Sequence, residues 1–123
     1  MFNKHLETQS KGFQFSKPIS LLKFQYRVLK EAENLTHPLL ERLQFLFIFL
    51  NNMNEFFQVR VPEFWPVEQL RHNDPVYQSS IDLSCKLFEH QYELFQKVLY
   101  PALETKNIFI IQPYALSPQV ING

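Results

Sequence analysis

Residues 38–61 read PLLERLQFLFIFLNNMNEFFQVRV, and this stretch decides the class of the fold. Pro38 can start a helix at no cost, because the N–H it lacks would have no partner in a first turn. Leu39, Leu40, Leu43, Leu46, Phe47 and Leu50 then recur at helical spacing on more than one stripe, which marks a central, core-forming helix. At Asn51 and Asn52 the apolar pattern breaks. Asn52 stands three residues before Glu55, the spacing at which a cap and a glutamate satisfy each other's backbone donors. A new helix is therefore expected to start there, carry Phe56, Phe57 and Val59, and end near Val61.

On the N-terminal side, Ser16 is a capping residue shortly before Pro18, and Ile19, Leu22, Tyr26 and Leu29 follow at steps of three and four. The spacing predicts a helix over 18–33, with 34–37 as a short connection. On the C-terminal side, Pro62, Pro66 and Pro75 enclose Trp65, His72 and Asn73 in an irregular surface connection that leaves Trp65 exposed. Over 75–105 the residues Ile81, Cys85, Phe88, Tyr92, Phe95 and Leu99 form one stripe of a long helix, whose last turns Pro101 should kink or shorten. Ile108 to Ile111, closed by Pro113, has strand composition, but a run this short fits a packed tail equally. The fold expected is all-α: a small helical bundle of about four helices with a long C-terminal helix, with or without one short terminal strand. Its domain covers 16–118, between a loosely ordered lead-in at 1–15 and a tail or linker start at 119–123.

The bulk properties agree with one folded domain. The 123 residues allow a single core, and 46% apolar content with 13 Phe rules out a disordered acidic chain, which has too little apolar surface to offset ordering entropy. Twelve basic residues balance twelve acidic ones, so no net field draws in a nucleic acid, and phosphate binding would need a few placed groups. The single cysteine, Cys85, fits a reducing, cytoplasmic compartment and reads as a small buried apolar residue. The N-terminus lacks the apolar core of a secretory signal, and Leu43–Leu50 is far short of the roughly 20 residues that span a bilayer. A Phe-rich helix lying on the inner membrane surface stays open as a peripheral association.

Enzyme constellations are largely missing. Gly12 and Gly123 are the only glycines, and neither belongs to a phosphate-cradling loop. His5, His37, His72 and His90 are scattered, without the spacing of a zinc site or a visible catalytic partner. Arg27, Arg42 and Arg60 are candidates for phosphate or interdomain contacts, though with Glu31, Glu41 and Glu55 they could equally pair between helices. Asn52 can cap a helix or bind the donor and acceptor edge of a purine.

Three blocks carry a resemblance: Arg27–Glu33 (RVLKEAE), Pro38–Leu46 (PLLERLQFL) and Asn51–Val61 (NNMNEFFQVRV). They resemble the opening domain of the polyphosphate kinase family that works through a phosphohistidine. The similarity continues through Tyr92–Leu103, where LYPAL resembles the family's helix end, and on to Leu116-Ser117. The resemblance implies an all-helical domain above the ATP tunnel of a larger enzyme that reversibly moves the terminal phosphate of ATP, with magnesium, onto polyphosphate. It also implies the remaining domains as partners and a homo-oligomer. The family's Asn-Leu-Asp-Glu-Phe-Phe stretch contacts nucleotide through its asparagine, which matches Asn52; the phosphorylated histidine, magnesium carboxylates and phosphate-gripping arginines lie in later domains. This chain alone is thus not expected to be catalytic. Two departures stand out: Pro18-Ile19-Ser20-Leu21 replaces Glu-Leu-Ser-Trp, and Asn54 replaces the usual aspartate. The alternative is a divergent, stand-alone helical module that binds or regulates a protein partner.

Overall fold

Pro18 opens helix α1, Lys17–Glu33, in the computed structural model, which describes residues 16–106. Ser16 occupies the cap position, but its hydroxyl makes no capping bond; its carbonyl accepts the Ser20 N–H at 3.0 Å. Beyond α1 the chain reverses at Asn34, whose Oδ1 accepts both the backbone N–H and the hydroxyl of Thr36, at 2.9 and 2.7 Å. That local turn is the chemistry that asparagine brings to a connection. Helix α2, Leu39–Glu55, then returns antiparallel along α1.

The expected break at Asn51-Asn52 does not occur. Asn52 lies inside α2, and its side chain caps nothing. The buried line Leu46, Phe49, Leu50, Met53 and Phe56 keeps its three-and-four spacing straight past the asparagines. The pause in apolar residues falls off that line, so it interrupts no packing. A wide π turn, Phe56–Arg60, follows, then α3, Val61–Phe64.

Both π turns end one residue short of a proline. The Val61 N–H bonds the carbonyl of Phe56, and the Tyr100 N–H bonds that of Phe95. A proline inside an α-helix offers no N–H and presses its ring on the carbonyl four residues back. Widening the turn before it moves that carbonyl aside, so the helix passes Pro62 and Pro101 rather than ending. Helix α4, Pro75–Leu94, the π turn Phe95–Leu99 and α5, Tyr100–Thr105, thus form the long C-terminal helix that the sequence suggests.

The segment between α3 and α4 holds a 3₁₀ helix, Glu68–Asn73, and it corrects the reading of Trp65. The indole is buried, 9% exposed, against Phe64 and Tyr77 in edge-on contacts. Its Nε1 donates to Asp74 Oδ2 at 2.9 Å, while Asp74 Oδ1 accepts the Val76 N–H at 2.8 Å and so caps α4. Arg71 Nε donates to the Trp65 carbonyl at 2.8 Å. A polar-looking loop is therefore pinned by a buried ring with a bonded N–H, the usual requirement for burying tryptophan.

The core lies where α1, α2 and the long C-terminal helix meet, with Ile19, Leu22, Leu29, Leu46, Phe49, Met53, Leu87 and Phe95 fully buried. Phe49 meets Phe88 edge-on at 6.0 Å, and Phe57 stacks on Phe88 at 6.1 Å. The buried face of α4 is rotated from the expected stripe: Cys85 and Tyr92 are exposed, whereas Ser80, Ser84 and Gln91 are buried beside Leu83, Leu87 and Leu94. Ser84 satisfies its hydroxyl on the carbonyl of Ser80 at 2.8 Å. Small serines can sit on a buried helix face, and a count of apolar spacing cannot register them. No strand occurs among the described residues, so the class is an all-α bundle. The strand or tail at 108–111, the lead-in 1–15 and the tail 119–123 lie outside the described residues.

Candidate functional site between helices one and two

Residues three and four apart on a helix share a face, so Leu21, Phe24 and Gln25 of α1 look one way, and Asn52, Glu55 and Phe56 along α2 look back at them. The π turn brings Arg60 to the same wall. Together they line an open cleft of ≈ 210 Å³. Leu21 and Phe56 make its apolar floor, and the Phe24 ring, 52% exposed, stands at the rim.

Asn52 is half-buried, and its Nδ2 donates to Gln25 Oε1 at 3.1 Å across the two helices. Gln25 is only 8% exposed. It was not apparent as a site residue from the sequence, although one signal exists: it stands three residues after Leu22 and four before Leu29, a polar group inside the apolar line. Phe24 was missed because an exposed aromatic on a helix has no periodic signature.

Of the sequence candidates, Asn52 and Arg60 come together. Arg60 Nη1 donates to Glu63 at 3.2 Å, an exposed pair whose contribution of about 0–1 kcal/mol does not lock the guanidinium in place. Arg27 is exposed on α1 and outside the cleft lining. Arg42 is 7% exposed and gives its Nε to the Ala32 carbonyl at 2.8 Å, closing the last turn of α1 from the next helix. Among the described residues the histidines are engaged in carboxylate or ring contacts: His37 sits between Glu31 and Glu41, His90 Nε2 lies 2.8 Å from Glu33 Oε1, and His72 packs edge-on to Tyr77; His5 lies outside the described residues.

The arrangement offers two amides, one carboxylate, one guanidinium and an aromatic face, with no nucleophile beside a base. It can bind a flat, polar-edged group, and at this volume it is one wall of a site rather than a whole one, since small-molecule sites run to about 300–1,000 Å³. Glu55 is its lone carboxylate, and no group of three or more His, Cys, Asp or Glu among the described residues could hold a metal. Magnesium therefore does not fit this cleft by itself. On the outer face of α2, Leu40, Phe47 and Ile48 are exposed, an apolar ridge beside a second cleft lined by Glu41, Gln44, Phe45 and Ile48. No helix of the described residues is long and apolar enough to cross a membrane.

Comparison with known proteins gives one consistent result. Residues 14–111 match the family model described as the polyphosphate kinase N-terminal domain. The chain is 38% identical over 99 residues to a polyphosphate kinase of Neisseria meningitidis serogroup A, covering 73% of this chain and 14% of that protein. It is 35% identical over 103 residues to a polyphosphate kinase of Bacillus cereus, covering 76% and 15%, and 34% identical over 108 residues to one of Xylella fastidiosa, covering 81% and 16%. The chain thus spans about a seventh of the length of the curated relatives it matches. No solved structure matches it. The breadth of the family match favours a domain of such an enzyme over a free-standing interaction module. The described helices and the asparagine block at 51–54 all fall inside the matched span, and the chain belongs to the polyphosphate kinase N-terminal domain family.

Proposed function

We propose that this domain helps a polyphosphate kinase position ATP for reversible transfer of its terminal phosphate to polyphosphate, with the phosphoryl-transfer residues and the magnesium site in the rest of that enzyme. The observation that carries the reading is the placement of Asn52. The asparagine that matches the family's nucleotide-contacting residue lines an open cleft, with an exposed aromatic ring at its rim and an arginine on the same wall. Its role is positional: holding the base end of a nucleotide lowers the entropy cost of bringing the phosphate chain into line. Arg60 is the nearest candidate for an anionic contact, and Arg27 and Arg42 lie apart from it. The exposed ridge of Leu40, Phe47 and Ile48 supports a packing face toward the enzyme's other domains, because apolar groups on one helix face gain by being covered.

Titration of the 123-residue chain with ATP and Mg²⁺, followed by NMR chemical shifts, tests the nucleotide reading. Shifts centred on Asn52, Gln25 and Phe24, and lost in Asn52→Ala, are expected. Absence of shifts at millimolar ATP would overturn nucleotide contact by this chain and leave a packing domain.

A further inference from the structure

Asn52, Glu55 and Phe56 face the cleft, and on an uninterrupted α-helix the next residue on that face would be Val59. At about 100° per residue, Val59 would stand within roughly 20° of Asn52, and Arg60 about 80° away from it. The π turn changes that count. Phe56–Arg60 takes one extra residue to go round, which sets the chain beyond it back by close to one residue's step and turns Arg60 into the place of Val59. The lining agrees: Arg60 belongs to the cleft, whereas Val59 is outside it and 49% exposed.

The wide turn has a local cause. The Val61 N–H reaches back five residues to the Phe56 carbonyl. Pro62, which has no N–H and would press its ring on the Gln58 carbonyl of a regular helix, favours that wider path. We propose that Pro62 is a positioning residue for the phosphate end of the nucleotide: by keeping the π turn, it holds the Arg60 guanidinium in the cleft that Asn52 lines. The inference rests on the nucleotide reading above. The bond to Glu63 at 3.2 Å takes one of the five N–H donors of the guanidinium, so the fork can still meet a phosphate oxygen.

ATP carries phosphates and adenosine does not, so the ratio of their apparent dissociation constants, read from NMR shifts of the 123-residue chain, isolates the Arg60 contact. One such contact corresponds to about fivefold in affinity. Arg60→Gln should lower the preference for ATP over adenosine by about that factor. Pro62→Ala, which permits a regular helix, should lower it similarly with Arg60 still present, and should add nothing further in the Arg60→Gln background. The Val61 N–H of that variant should also move its bond from the Phe56 to the Phe57 carbonyl, which scalar couplings across the hydrogen bond report. A merely structural Pro62 would weaken ATP and adenosine together and leave the ratio alone. Equal binding of ATP and adenosine by the unmodified chain, a ratio unchanged in Arg60→Gln or in Pro62→Ala, or a Val61 bond that stays on Phe56 without the proline would overturn this inference while leaving nucleotide binding intact. Absence of cleft shifts with either ligand would overturn the nucleotide reading, and this inference with it. Arg60→Gln keeps the proline, so that comparison holds whatever Pro62→Ala does to stability.

Discussion

Asp74 ties the end of α3 to the start of α4 beside the Trp65–Tyr77 ring contact, and Asp74→Ala measures what that polar junction contributes. One carboxylate oxygen caps α4 through the Val76 N–H at 2.8 Å, and the other receives the indole N–H of Trp65 at 2.9 Å. Losing an N-cap costs about 1 kcal/mol, within a range of 0.5–2. Leaving a buried indole N–H without a partner costs about 1–3 kcal/mol more. The two losses share one side chain and need not add fully, so about 2–4 kcal/mol is expected. Against a total stability on the order of 5–15 kcal/mol this is a large fraction, and the melting temperature should fall by roughly 10 °C or more. Urea and thermal unfolding followed by far-ultraviolet circular dichroism give the difference. Trp65 is the single tryptophan, so its emission reports the same site. In a Trp65→Phe background no donor remains to be orphaned, and Asp74→Ala should then cost only the cap, about 1 kcal/mol. An equal cost in both backgrounds would refute the claim that Asp74 secures the tryptophan, whatever the size of the effect.

Other outcomes follow from the same geometry. Arg42→Ala removes a donor to the Ala32 carbonyl and a buried stem from between α1 and α2; a loss of about 2 kcal/mol in urea unfolding is expected, and a loss below about 0.5 kcal/mol would show that water replaces the guanidinium fully. Partial desolvation pushes the Cys85 thiol above its ordinary range, with Asp82 and Glu89 adding to the rise and Lys86 opposing it. The folded chain therefore holds this proton more tightly than the unfolded chain, so the contribution is present below the unfolded thiol's pKa and is lost as pH climbs through the folded one. Despite its exposure, Cys85 should react with iodoacetamide more slowly in the native chain than in urea at pH 8, since only the thiolate attacks; equal rates would contradict the raised value.

The sequence singles out Asn52, through its place in NNMNEFF, which the structure sets in the lining of a cleft, and it does not single out Gln25, its partner 27 residues away. Nothing in the spacing around residue 25 says which residue of another helix will face it. The burial of Trp65 was hidden for the same reason, because the aspartate that bonds it lies beyond Pro66 and a 3₁₀ turn in what reads as an irregular loop. Cys85 was misread because apolar spacing placed it on a stripe, whereas the serines at 80 and 84, with no apolar weight, occupy the buried line.

By itself the sequence determined what is local: the helical period of Ile19 to Leu29 and of Leu39 to Leu50, the proline at each helix entrance, the all-α class, and the ordered blocks that carry family membership. Only the tertiary structure decided how α2 runs past Asn52, how wide turns carry two helices through Pro62 and Pro101, which face of α4 is buried, and that the Asn52 amide is tied to Gln25. The division has one physical cause. Periodicity follows from the backbone geometry of a single helix, whereas burial of a polar group is set by how closely two helices approach and by which partner across the gap satisfies it.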